Sequence, residues 1–219
     1  MRVAVASLLL ACAFGPLPVG AQAAPGWTVD LDGSIAPAEE VGTPVELPRG
    51  GRIWLGRDGD VLNVRLRTGA LLVASLCVGS ADTMAVLHAS AALDRVDYAA
   101  AGGGWRPGAD STFVWDLREP GMDAATRLRR SAWFDAHGWV ATTVPMGTPG
   151  ETEFRIDLGR MPAGSDRVAL GVMPADDPEA VWAWPAGAVG CGHPSLVRGL
   201  VPRDLPGGAD AWHRLSPPG

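Results

Sequence analysis

Arg52-Ile53-Trp54-Leu55-Gly56-Arg57-Asp58-Gly59-Asp60-Val61-Leu62-Asn63-Val64-Arg65-Leu66-Arg67 is the stretch whose reading decides the fold. An apolar run at 52–55 is followed by Gly56-Arg57-Asp58-Gly59-Asp60, and Asp-Gly between two such runs favours a tight primed turn. From Val61 onward Leu62, Val64 and Leu66 alternate with Asn63, Arg65 and Arg67, the period of a strand with one apolar and one polar face. The expectation is a β-hairpin whose second strand is half-buried.

The same grammar extends in both directions. Short apolar or alternating runs at 27–31, 71–78, 83–88, 96–99, 112–117, 139–145, 152–158 and 167–173 are separated by Gly, Pro, Asp and Ser clusters, the signature of a β-sandwich or barrel. One segment departs from it. Over 122–137 Ala125, Leu128, Ala132 and Ala136 recur near helical spacing, and Gly138 stands where a C-terminal cap belongs. A helical excursion between strands is expected there. Gly102-Gly103-Gly104 and the tail from Pro202 read as loops. With no internal repeat and no linker long enough to split it, the expected fold is one mostly β, antiparallel, jelly-roll-like sandwich over 24–219 with one short helix.

Residues 1–23 read as a signal peptide. Arg2 supplies the positive end, Val3 to Phe14 an uncharged apolar core, and Ala21-Gln22-Ala23 a small-x-small cleavage pattern. The expected location is periplasmic or secreted, with cleavage after Ala23. A lipid anchor at Cys12, in Leu9-Leu10-Ala11-Cys12, is the alternative. The apolar run is shorter than the roughly 20 residues a membrane span needs. No transmembrane span is expected in the mature chain.

Acidic residues outnumber basic ones, 24 to 18, and every basic residue is arginine. That balance argues against nucleic acid as partner, since phosphates call for a basic surface. The lack of lysine removes Schiff-base and lysine-nucleophile chemistry. Cys77 and Cys191 remain after cleavage, and in an oxidising compartment such a pair is expected to bridge. The chain-entropy model rates a loop of that length at about 4–5 kcal/mol. Two separate buried thiols are the alternative, and geometry decides between them.

The order of motifs resembles a known group. Asp32-Gly33-Ser34-Ile35 followed by Glu39-Glu40, the hairpin Leu55 to Val64, Thr152-Glu153-Phe154-Arg155-Ile156-Asp157-Leu158, and Val168-Ala169-Leu170-Gly171-Val172 leading to Ala183-Trp184-Pro185 are similar to the succession in family 9-like carbohydrate-binding modules and the wider DOMON-like group. Asn63 stands where that group usually has an aromatic, and Asp157 replaces its proline. Val41-Gly42-Thr43 occupies the place of its early tryptophan. The resemblance implies an antiparallel sandwich that binds a sugar or another small ligand without catalysis.

Nine tryptophans against one tyrosine suit such a ligand, because a pyranose ring offers an apolar face to an indole while rim side chains bond its hydroxyls. Trp105 with Arg106, in a Gly-rich loop, and Trp182 with Trp184, two apart on an extended segment, are the ligand-binding candidates. Trp54, Trp115 and Trp133 read as packing residues.

Asp30-Leu31-Asp32-Gly33 and Asp58-Gly59-Asp60 are ordinary turn chemistry rather than calcium loops, and Cys191-Gly192-His193 lacks further zinc ligands. No metal or other cofactor is expected. Met84 and His88 share a strand face, but about 13 Å of strand separates them. They cannot be opposite axial ligands of one haem, although either could pair with Met146 or His137. No G-x-S-x-G, H-E-x-x-H, P-loop or G-x-G-x-x-G is present. Glu39/Glu40 and Glu151/Glu153 are the carboxylate pairs a glycosidase would need, and the second pair reads most simply as solvent-facing. Three functions stay open: a non-catalytic domain binding a carbohydrate or similar small polar ligand, an accessory protein whose partner is another envelope protein, and a haem-binding domain.

Overall fold

The structure is a computed structural model, and it describes residues 31–40, 43–115, 117, 123–142 and 148–216. The expected signal peptide, Cys12, Met146, most of the run at 27–31, residues 143–145 of the run at 139–145 and residue 122 of the expected helical segment lie outside the described residues.

The elements in chain order are β1 (Val45–Glu46), β2 (Arg52–Asp58), β3 (Val61–Arg67), β4 (Leu72–Gly79), β5 (Thr83–Ala89), β6 (Leu93–Ala101), β7 (Gly104–Pro107), α1 (Ala124–His137), β8 (Trp139–Ala141), β9 (Glu151–Asp157), β10 (Arg167–Pro174), β11 (Trp182–Trp184), α2 (Pro194–Val197), β12 (Leu205–Pro206) and β13 (His213–Arg214). They form two antiparallel sheets. One has the order β1-β2-β3-β9-β8; the other, longer and curled, runs β11-β10-β4-β5-β6-β7-β12, with β13 also on β10. Asp58 pairs with Val61, so the hairpin turn is the two-residue Gly59-Asp60.

Alternation builds the core. Ile53, Leu62, Val64, Leu66, Phe154 and Ile156 from the first sheet meet Ala74, Leu76, Val78, Ala85, Leu87, Val168 and Leu170 from the second. Each strand contributes every other residue, as packed sheets require. The second sheet has a second buried layer on its outer face, where Cys77, Met84, Val86, Tyr98 and Ala169 lie under Trp105, Phe113, Leu196, Leu205 and Trp212. The chain beyond β11 supplies much of this cover, so the tail from Pro202 is more than loop.

Several expectations are corrected. Gly104 belongs to β7, because Gly104–Pro107 pairs with the end of β6. Of the run at 112–117, the described residues 112–115 are irregular and Leu117 forms an isolated bridge to Leu93. The helix exists and Gly138 caps it in the left-handed conformation at φ 75°, yet the stripe of Ala125, Leu128, Ala132 and Ala136 faces solvent. Its packed side is Thr126, Arg130, Trp133 and Phe134. Alanine carries too little apolar surface to steer a helix when bulky aromatics lie on another stripe.

The polar face of β3 is also buried rather than solvated. Asn63 and Arg65 are 3% and 1% exposed, because β3 lies between β2 and β9 and residues 31–40 cross that face. Glu151 and Glu153, expected at the surface, are part of this buried layer. Glu153 is fully buried and the Glu151 side chain is 10% exposed.

Candidate functional site

Along β6 the inner face leaves the dry core, since Leu93 packs in it whereas Arg95, Asp97 and Ala99 line an open cleft. Arg95, Asp97 and Ala99 stand there across from Leu87, Ala85 and Thr83 of β5, and Arg106 of β7 lies beside Ala99. Arg95 bonds Asp97 through Nε and Nη2, at 2.7 and 3.0 Å. A charged pair at positions which elsewhere in the same sheet carry Leu and Ala marks where the dry core ends, because unsolvated charge is costly to bury. The opposite wall is Trp133 and His137 of α1, Trp139 of β8 and Pro162. Between them lies an open cleft of about 830 Å³.

The aromatic wall is held in place. His137 stacks on Trp133 at 3.9 Å between centroids, and Trp139 meets Trp133 edge-on at 6.3 Å. The indole N–H groups of Trp133 and Trp139 are both buried and have no hydrogen-bond partner among the described residues, which is uncommon for a native protein donor. Arg160 donates to the carbonyls of Asp135 and Ala136 at the C-terminal end of α1, a cation placed where the helix dipole is negative. Across the cleft, the buried Asp94 carboxylate accepts the amides of Val114 and Trp115 and fixes the loop after β7.

The sequence candidates are distributed differently. Arg106 lines the cleft, paired with Asp204 at 2.7 Å. Trp105, next to it, points the other way. It is 1% exposed and packs on Trp212 at 5.8 Å. Trp182 and Trp184 do share one face, both in β11 at the far end of the long sheet. Trp184 is buried against His213, and half-buried Trp182 borders a small pocket with Arg49 and Asp176. Trp105 and Trp184 therefore do not form one platform. Trp54 and Trp133 both pack against the core as expected, and Trp133 also lines the cleft. Sequence reasoning missed Arg95, Asp97, Trp133, His137 and Trp139. The alternation of Arg95 and Asp97 with Val96 and Tyr98 was visible, but which face meets the other sheet was not.

The glutamate pairs come together at a buried seam, not in the cleft. Glu153 accepts the Gly33 amide at 3.1 Å and Glu151 accepts that of Ile35 at 2.7 Å. Arg65 lies between Glu153 and Glu39, at 3.4 and 4.0 Å, and Arg67 between Glu40 and Glu151. Burial pushes the Glu153 carboxyl up to about 8, against the opposing pull of the Gly33 amide and Arg65. These groups hold the 31–40 strap to β3 and β9. Asp32 makes the expected turn, accepting the Ser34 amide at 2.8 Å.

Cys77 and Cys191 lie at disulfide distance, Cα–Cα 6.0 Å. Met84 and His88 share the outer face of β5 within the covered layer. The His88 Nδ1 is 2.9 Å from Ser75 Oγ, and its ring contacts Phe113 and Trp115. Burial lowers His88 to about 4, which keeps it neutral near pH 7. No helix among the described residues is long and apolar enough to cross a membrane. Comparison with protein-family models, with curated proteins and with solved structures gives no match for this chain.

Proposed function

We propose that this chain is an exported, non-catalytic binding domain whose inter-sheet cleft takes a carbohydrate or a similar small polar ligand. The observation that carries this reading is the change of chemistry along the inner face of β6. Where the sandwich closes, that sheet face is apolar; where it opens, Arg95 and Asp97 replace the apolar residues opposite an aromatic wall. A floor of charged donors and acceptors beneath a wall of rings suits a ligand with hydroxyl edges and apolar C–H faces. Ala99 and Ala101, both small, leave room above the floor. The resemblance of the sequence motifs to family 9-like and DOMON-like domains points in the same direction.

The test is a titration of intrinsic tryptophan fluorescence, in residues 24–219, with a panel of soluble oligosaccharides. A saturable shift with one sugar class is expected, abolished by Trp133→Ala and by Arg95→Ala in folded protein and retained in Trp182→Ala. No saturable shift across the panel would overturn the reading and leave an envelope protein as the partner to seek by pull-down. A shift lost only in Trp182→Ala would move the site to the far end of the long sheet.

A further inference from the structure

The other flank of α1 poses a different problem. Arg127, Arg130, Ser131 and Phe134 follow the i, i+3, i+4, i+7 spacing of one helical stripe, which a helix lying on a sheet normally fills with apolar residues. Here the stripe faces Arg155 and Val140 of the first sheet, and between them is a pocket of about 210 Å³. Three guanidinium groups therefore share one small space. Arg130 is anchored through Nη2 on the Ala141 carbonyl.

Arg155 and Arg127 have no such anchor. Arg155 is stacked over the Phe134 ring at 5.1 Å, and its Nε is buried with no hydrogen-bond partner among the described residues. Stacking uses the flat face of a guanidinium and leaves its N–H edge to donate. Arg127 is exposed at the mouth, and neither it nor Arg155 has an ion pair with any described carboxylate. Arg127 also sits near the N-terminal end of α1, where the helix dipole disfavours a cation. Three like charges around one small space, two of them without a counter-ion among the described residues and one with a buried unused donor, favour a negative group between them.

We propose that this pocket is a binding site for an oxyanion: a carboxylate, sulfate or phosphate held between Arg127 and Arg155, with Arg130 and the Ser131 hydroxyl lining the space. Planar guanidinium forks match such groups with paired N–H donors. The volume admits one anionic group with little attached to it, entering past Arg127. The site lies across α1 from the aromatic cleft and stands without it. The anion is either free or the acidic group of a larger ligand.

Inorganic phosphate and sulfate are titrated against residues 24–219 at constant ionic strength, set with sodium chloride, and the unfolding temperature is recorded. Glucuronate and glucose, run in parallel, separate an acidic sugar from a free anion. A saturable upward shift with phosphate or sulfate is expected, glucuronate joining them only when the acidic group of a sugar is accepted, and glucose giving none. Arg127→Gln and Arg155→Gln are each expected to weaken the apparent affinity about ten-fold. Arg203→Gln, at an exposed loop position elsewhere, is expected to leave it unchanged. Arg127 is exposed, so its variant keeps the fold and decides the matter even when Arg155→Gln unfolds. No saturable shift with any oxyanion, or a shift that persists unaltered in Arg127→Gln, would overturn the proposal.

Discussion

Arg65 and Glu153 face each other across β3 and β9, Nε to Oε1 at 3.4 Å, with 1% and 0% of their side chains exposed. Such a pair contributes little net stability over an apolar one, because desolvation offsets most of the attraction, whereas losing one partner is costly. Its effect here is positional, since Glu153 also holds the Gly33 amide and so locates the strap.

The folded carboxyl of Glu153, at about 8 against an ordinary 4.5, sets a pH dependence. A carboxyl raised on folding binds its proton more tightly in the native state. Its stabilising effect is therefore full below pH 4.5 and is lost as pH rises toward 8. Urea unfolding of wild type and Glu153→Gln at pH 5, 6.5 and 8 checks this. The difference in unfolding free energy between the variant and wild type is expected to move in the variant's favour as pH rises. A constant difference across the range would contradict the assignment.

Removing the Cys77–Cys191 bond is expected to cost about 2–5 kcal/mol. Cys77 lies on β4, and Cys191 on the chain that covers the outer face of the long sheet. A Cβ at Gly171 would come within 2.2 Å of the Cys191 carbonyl oxygen, so the backbone approach that brings the sulfurs together depends on that glycine. The urea midpoint of Cys77→Ala/Cys191→Ala, or of wild type in reductant, is expected to fall well below that of oxidised protein. Coincident midpoints would show that the bond does not form.

Gly138→Ala is expected to destabilise by at least about 1 kcal/mol. The position has φ 75°, and an added Cβ would meet the Arg160 side chain at 2.6 Å. Because Arg160 caps α1 and Trp133 and His137 lie in its last turns, the variant is also expected to show an altered tryptophan emission maximum. An unchanged denaturation curve and spectrum would mean that the cap does not hold the wall.

The strand content was legible because a hairpin such as 52–67 carries its period and its turn in neighbouring residues. The helix was legible through Gly138, a strictly local signal. What sequence could not provide was the partner of each face. Arg65 and Glu153 look solvent-facing until the strap is placed over them, and Ala125 and Leu128 look core-facing until Trp133 and Phe134 take the contact. Trp105 and Arg106 show the limit plainly, since adjacent strand residues necessarily point to opposite faces and only the sheet decides which face is cleft and which is core. The site itself joins β6, β7, α1 and β8, segments that no motif links.

β3 finds its neighbour in β9, and β4 finds its own in β10. Both junctions join strands that begin before residue 73 to strands that begin after residue 150, so neither sheet is complete until the later strands arrive, even though β4-β5-β6-β7 is a run of sequence neighbours. Contacts of such long sequence separation are slow to form, because loop closure must precede them. A ribosome-bound chain ending before Arg167 would lack the strand that joins β4 to β11. Neither sheet is therefore complete before β10 is made, and the meander β4-β5-β6-β7 on its own would lack both β10 at its edge and the sheet that covers its inner face.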